Sequence, residues 1–126
     1  MRLLCVDDEE DIRTILGLAL GLDPSFGVEI VSAGVDLLAR ARAAADAGAP
    51  YDVFVLDGMM PGMDGYEVCR QLKADARTAP TPVVFLTAKT QRDEVARAIG
   101  IGAVACLTKP FDPLSLASEL RAAIGR

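Results

Sequence analysis

Short apolar runs alternate along this chain with longer segments in which apolar residues recur at helical spacing. Leu3 to Val6 is the first run and ends at Asp7 and Asp8. Ile12, Ile15, Leu16, Ala19 and Leu20 then mark a helix face, with Gly21 and Asp23-Pro24 as its stop. Val28 to Val31 is the second run, and an alanine-rich helix is predicted over Val35 to Ala47. Pro50 breaks the chain before the third run, Asp52 to Leu56, which ends at Asp57. Asp64, followed by Glu67, carries a capping-box signature for a helix through Ala74. Pro82 to Leu86 is the fourth run and ends at Thr87. Thr90 is placed to cap a helix over Gln91 to Ile99, with Gly100 as its stop. Ala103 to Leu107 is the fifth run, ending at Thr108 and Lys109, and Asp112-Pro113 supplies the N-cap and first turn of a last helix reaching Ile124.

This rhythm predicts an α/β fold: a mostly parallel sheet wound with helices on both faces. The runs are continuously apolar, as strands buried on both sides should be. No linker, low-complexity tract or second pattern interrupts them, so residues 1–126 are expected to form a single domain. That length suffices to bury roughly two-thirds of the surface of the unfolded chain.

Composition narrows the function classes. Hydrophobic residues make up 52% and charged residues 25%, as in an ordinary soluble domain. A net charge of −5 argues against direct nucleic-acid binding, which needs a basic face. The absence of His removes Ser-His-Asp triads and most transition-metal sites. Cys5, Cys69 and Cys106 show no zinc spacing and are expected to be reduced thiols. MRLLCVDDEE reaches carboxylates too early for a signal peptide, and no apolar run has the length of a membrane span. The expected setting is therefore cytoplasmic, without membrane insertion.

The informative residues are those at the strand ends, because open α/β sheets build their sites beyond the carboxyl ends of the strands. Asp7, Asp8, Asp57, Thr87 and Lys109 all fall there. Taken singly, each has an ordinary role: helix N-caps for Asp7 and Asp8, a turn for Asp57 before Gly58, a strand end for Thr87, a surface charge for Lys109. Their convergence on one rim favours chemistry. Three carboxylates crowded together repel unless some are protonated or a cation sits among them. Oxygen ligands without His or Cys suit Mg²⁺. A phosphoryl group in transfer needs positive charge on its equatorial oxygens, which Lys109 and such a metal can supply, with a hydrogen bond from Thr87. One carboxylate then serves as nucleophile, and Asp57, ending the central strand, is the natural choice.

At these residues the chain resembles the response-regulator receiver domains of two-component signalling, the CheY-like superfamily. The matching stretches are Val6-Asp7-Asp8-Glu9, Asp57 to Gly65 (DGMMPGMDG), Phe85-Leu-Thr-Ala88 and Leu107-Thr-Lys-Pro-Phe111. The resemblance implies a flavodoxin-like (βα)5 doubly wound parallel sheet with strand order 2-1-3-4-5. It implies phosphoryl transfer to Asp57 from a phosphohistidine on a sensor histidine kinase or a phosphotransfer protein. By the same resemblance, Asp8, Asp57 and the Met59 carbonyl would ligate Mg²⁺ and Asp7 would act through water. Lys109 would contact the phosphoryl group, Lys109-Pro110 would be a cis peptide, and Thr87 would move inward to bond a phosphoryl oxygen. Such a domain is not classed as an enzyme, although it assists its own phosphorylation and dephosphorylation. Its output surface would be the fourth helix, fifth strand and fifth helix, read by a downstream effector protein or output domain, or by a second copy in a homodimer.

Several positions depart from the family pattern. Cys106 stands where an aromatic is usual, and Val104 and Ala105 replace a common acidic pair. Drift at a permissive edge strand explains this as well as an output face that binds through apolar contact. Met59 and Lys89 occupy positions that modulate phosphoryl lifetime in the family, and Lys89 is expected to influence water access to the acyl phosphate. A haloacid-dehalogenase-type phosphatase also combines Asp, Mg²⁺, Thr and Lys, but needs a second Asp at position 59, which is Met. A flavodoxin needs a phosphate loop where this chain has Asp7-Asp8-Glu9-Glu10. A degenerate receiver would lack part of the rim, which is complete here.

Overall fold

A computed structural model describes residues 1–88 and 92–125. Five strands and five helices alternate: β1 (Arg2–Val6), α1 (Glu10–Leu20), β2 (Gly27–Val31), α2 (Gly34–Asp46), β3 (Val53–Leu56), α3 (Gly65–Ala74), β4 (Val83–Thr87), α4 (Arg92–Gly100), β5 (Ala105–Thr108) and α5 (Leu116–Ile124). The strands form one parallel sheet in the order β2-β1-β3-β4-β5, as expected.

The apolar runs resolve into two interleaved cores, because successive strand residues turn to opposite faces. Leu4, Val6, Phe54, Leu56, Val83 and Phe85 pack beneath α2, α3 and α4, with Leu37, Val68, Leu72 and Ala98. Leu3, Cys5, Val53, Val55, Val84 and Leu86 pack beneath α1 and α5, with Leu16, Leu20, Leu116 and Leu120. Truncating any of these fully buried leucines to alanine should cost about 2–5 kcal/mol. Cys5, Cys69 and Cys106 are free thiols. Burial pushes Cys5 up to about 12 and Cys69 up to about 11, which keeps both protonated and unreactive.

Local chemistry sets the element ends. The Asp64 carboxylate caps α3 by accepting the Glu67 N–H at 2.9 Å, while the Glu67 carboxylate pairs with Arg70. β5 begins at Ala105 rather than Ala103, because Ala103 closes α4: its N–H donates to the Ala98 carbonyl at 3.0 Å. The α4 turn ends on Gly102, whose φ of +113° only glycine adopts readily, and not on Gly100. Asp112 organises the turn before α5, its carboxylate accepting the Leu114 N–H at 2.9 Å, but the regular helix starts only at Leu116. Thr90 and Gln91, expected at the start of α4, lie outside the described residues, as does Lys89.

Candidate phosphoacceptor site

Strand order brings the site together before any side chain does. β1 lies between β2 and β3, and the register pairs Val6 with Leu56, so Asp7 and Asp57 emerge side by side. The Asp57 N–H donates to the Val6 carbonyl at 3.2 Å and continues the ladder to that point. On the other flank, β4 pairs with β5 through Thr87 and Thr108, and the Lys109 N–H donates to the Thr87 carbonyl at 3.0 Å. The Lys109-Pro110 peptide is cis, as the resemblance implied.

All five rim residues converge, in different environments. Asp7, Asp57 and Thr87 are 2%, 4% and 1% exposed, whereas Asp8 reaches solvent and Lys109 is half-buried. Asp7 Oδ1 accepts the Glu9 N–H at 2.9 Å, and Oδ2 accepts from Lys109 Nζ at 2.8 Å. Asp57 Oδ1 accepts the Met59 N–H at 3.1 Å, and Oδ2 lies 3.4 Å from Lys109 Nζ. Lys109 therefore bridges two buried carboxylates that would otherwise repel. Neither Asp7 nor Asp8 caps α1: the N-cap is Glu9, and Asp7 spends its carboxylate on Glu9 and Lys109.

Electrostatics report the same crowding. Burial raises the Asp57 carboxyl above its ordinary range; the Met59 N–H opposes this, the charge of Asp7 adds to it and Lys109 draws it back. Burial alone would lower the Lys109 ammonium, but its hydrogen bond to Asp7 and the charges of both carboxylates prevail and hold it raised. Asp7, Asp8 and Asp57 each place a carboxylate oxygen within 4.8 Å of the others. Among the described residues, three carboxylates against one ammonium leave excess negative charge, and the donors are hard oxygens without His or Cys. This set fits a divalent cation of the Mg²⁺ kind.

Beside the rim lies a cleft of about 290 Å³, lined by Asp57, Thr87 and Lys109 together with Glu9, Ile12, Met59, Ala88 and Pro110. Glu9, Ile12 and Ala88 are lining residues that the sequence does not single out; Glu9 and Ala88 adjoin Asp8 and Thr87, and Ile12 lies one helical turn beyond Asp8. Behind the rim, a methyl group on Gly65 would fall 2.1 Å from the Asp57 carbonyl oxygen. Glycine there lets the start of α3 press against the end of β3.

Comparison with known proteins gives a consistent picture. The family described as response regulator receiver domain matches residues 3–121. The phosphate regulon transcriptional regulatory protein PhoB of Pseudomonas aeruginosa is 36% identical over 124 residues, covering 98% of this chain and 52% of that protein. The DNA-binding response regulator MtrA of Mycobacterium tuberculosis is 34% identical over 125 residues, covering 99% of this chain and 51% of that protein. The chain thus spans about half the length of these relatives. Among solved structures, the chemotaxis response regulator CheY4 of Vibrio cholerae superposes with a TM-score of 0.85 at 30% identity, covering 97% of each chain.

Proposed function

Because the chain belongs to the response regulator receiver domain family, we propose that residues 1–126 form one receiver unit whose phosphoacceptor is Asp57. Its signalling is phosphorylation-dependent, and receivers work with histidine kinases. An Asp57 carboxylate oxygen attacks the phosphorus of a phosphohistidine on a sensor kinase or phosphotransfer protein. The O–P bond forms as the P–N bond breaks, and the imidazole leaves with the electron pair. Lys109 follows the charge from the Asp57 carboxylate to the phosphoryl oxygens, and the Thr87 hydroxyl donates to one of them. Asp8, Asp57 and the Met59 carbonyl would hold Mg²⁺, with Asp7 acting through water. Once bound, the ion supplies positive charge to the transferring group.

The observation that carries this reading is the bridging ammonium: Lys109 Nζ stands 2.8 Å from Asp7 and 3.4 Å from Asp57, beside three carboxylates gathered within 4.8 Å. Phosphorylation replaces one carboxylate charge by about −1.5 to −2, so the ammonium gains a stronger partner on the Asp57 side. The family is generally not classed as an enzyme, and the chemistry is self-modification assisted by the rim. The face of α4, β5 and α5 then meets an effector protein, an output domain or a second copy. No described helix is long and apolar enough to cross a membrane, which supports a cytoplasmic setting. A phosphatase of the haloacid-dehalogenase type would need an acid/base at position 59, where the side chain is Met.

The test is incubation with Mg²⁺ and acetyl phosphate or beryllofluoride. The protein should acquire a labile adduct, lost with Asp57→Ala and undiminished by phosphoester competitors. An adduct that survives Asp57→Ala, or steady turnover of a phosphoester, would defeat the reading.

A further inference from the structure

The phosphoacceptor rim is joined to α4 by one aromatic side chain, Tyr66. It sits in the first turn of α3, two residues past the capping Asp64, and is buried. Its ring stacks on Phe85 of β4, with centroids 5.0 Å apart and planes at 26°. Its hydroxyl donates to Glu94 Oε2 at 2.8 Å, and the Arg97 guanidinium lies 4.0 Å from the ring centroid. Glu94 and Arg97 both belong to α4, so this one side chain holds the helix at two points.

The hydroxyl end of Tyr66 also borders the rim. A methyl group on Gly58 would meet the Thr87 hydroxyl at 3.3 Å and the Tyr66 ring edge at 3.5 Å. The ring and the hydroxyl therefore border the same small space beside Gly58, next to Asp57. Phe85 and Thr87 are two apart on β4 and project to one face, so the ring's stacking partner shares a strand with the rim's hydroxyl. Across the β4–β5 ladder Phe85 pairs with Cys106, which brings only a thiol to this neighbourhood. The ring beside Thr87 comes from α3, not from β5.

We propose that Tyr66 is a positioning residue that couples the Asp57 rim to α4. Movement of Thr87 or of the Asp57-Gly58 backbone displaces the ring, and the ring carries Glu94 and Arg97 with it. A buried aromatic ring suits this work because it has few rotamers and contacts that cannot be made in two places at once. The inference rests on the receiver reading, since it needs an event at Asp57 to transmit.

The experiment is amide hydrogen exchange over Arg92–Gly100, with and without Mg²⁺ and beryllofluoride, in the wild type, Tyr66→Phe, Tyr66→Leu and Glu94→Ala. In the wild type the adduct should change the α4 exchange rates. In Tyr66→Phe and Glu94→Ala, which lose the hydrogen bond and keep the ring, the ratio of rates between the two states should move toward one by roughly threefold to tenfold, within the range over which single positions alter coupling between sites. Tyr66→Leu should bring it closer still, while all three variants still form the adduct. A ring that merely fills space would shift exchange by one factor in both states. An unchanged ratio with adduct formed therefore overturns this inference alone, whereas a wild type that forms no adduct overturns the receiver reading and the inference with it.

Discussion

The Asp57 rim and the face of α4, β5 and α5 are built on opposite terms. At the rim, charged groups are enclosed: Asp7 and Asp57 are almost without solvent, and each has specific partners. At the face, apolar groups are exposed, including Ile99 on α4 and Val104 before β5, with Val104 47% exposed. The rim's buried carboxylates stand at the ends of β1 and β3, strands with neighbours on both sides, and Lys109 reaches them from the end of β5. The face includes the edge strand β5, whose outer side has no ladder to satisfy. Buried charge tolerates little substitution, because removing one partner strands another. An exposed apolar face can vary with its partner at small cost to the fold. The proposed chemistry and the proposed readout thus sit on parts with different freedom to change.

Substitutions at the rim should therefore dominate. Lys109→Ala removes the ammonium that bridges Asp7 and Asp57. Its expected effect is a fall of roughly 10²-fold or more in the rate of adduct formation from acetyl phosphate, comparable to losing one preorganised electrostatic partner elsewhere. Gly65→Ala should follow, read by denaturant unfolding. Alanine is favoured in a helix by about 1 kcal/mol, but its Cβ would collide with the Asp57 carbonyl, and such overpacking costs about 1–3 kcal/mol or more. Net destabilisation is expected, and a stabilised variant would show that α3 does not brace the rim.

Asp57→Asn should act in the other direction. The folded carboxyl is raised above its unfolded value by burial, so the folded state keeps its proton to higher pH than the unfolded chain does. Stability consequently falls as pH rises through the window between those two values, and the ionised carboxylate is a liability above it. Asparagine carries no such penalty. Asp57→Asn should stabilise the fold at neutral pH by about 1 kcal/mol, or roughly 4 °C in Tm, with the gap closing as pH falls through that window. Adding Mg²⁺ should narrow the gap from the other side, by stabilising the wild type more than the variant.

Much of this was legible in the sequence, for a physical reason. Parallel strands buried on both faces read as unbroken apolar runs, and their polar terminal residues stand out against them. Asp7, Asp57, Thr87 and Lys109 could be placed on one rim without coordinates, although the Lys109–Asp7 contact spans most of the chain. Boundaries were less visible where one residue type serves two elements. Ala103 is apolar enough to extend β5, yet its N–H closes α4. Asp112 does begin a turn, but the regular helix waits for Leu116. Tyr66 was not legible at all: at helical spacing it reads as a core position, and only packing shows it against Gly58, Phe85 and two residues of α4.

The smallest expected effect on stability belongs to the face, and it probes the comparison from that side. Val104 donates its backbone N–H to the Val83 carbonyl at 2.8 Å, which any residue except proline reproduces, while its side chain is half in water. Val104→Asp should change stability by no more than about 0.5 kcal/mol, as exposed substitutions usually do. Adduct formation at Asp57 should stay within about twofold, because no rim group is touched. What should change is association. If a second copy docks through this face by apolar contact, a carboxylate at position 104 must be desolvated in the complex, and the beryllofluoride-treated protein should self-associate at least about tenfold more weakly in sedimentation, the equivalent of about 1.4 kcal/mol. Unaltered self-association would assign the face to a different partner, and a lost adduct would mean that rim and face are less separable than their burial indicates.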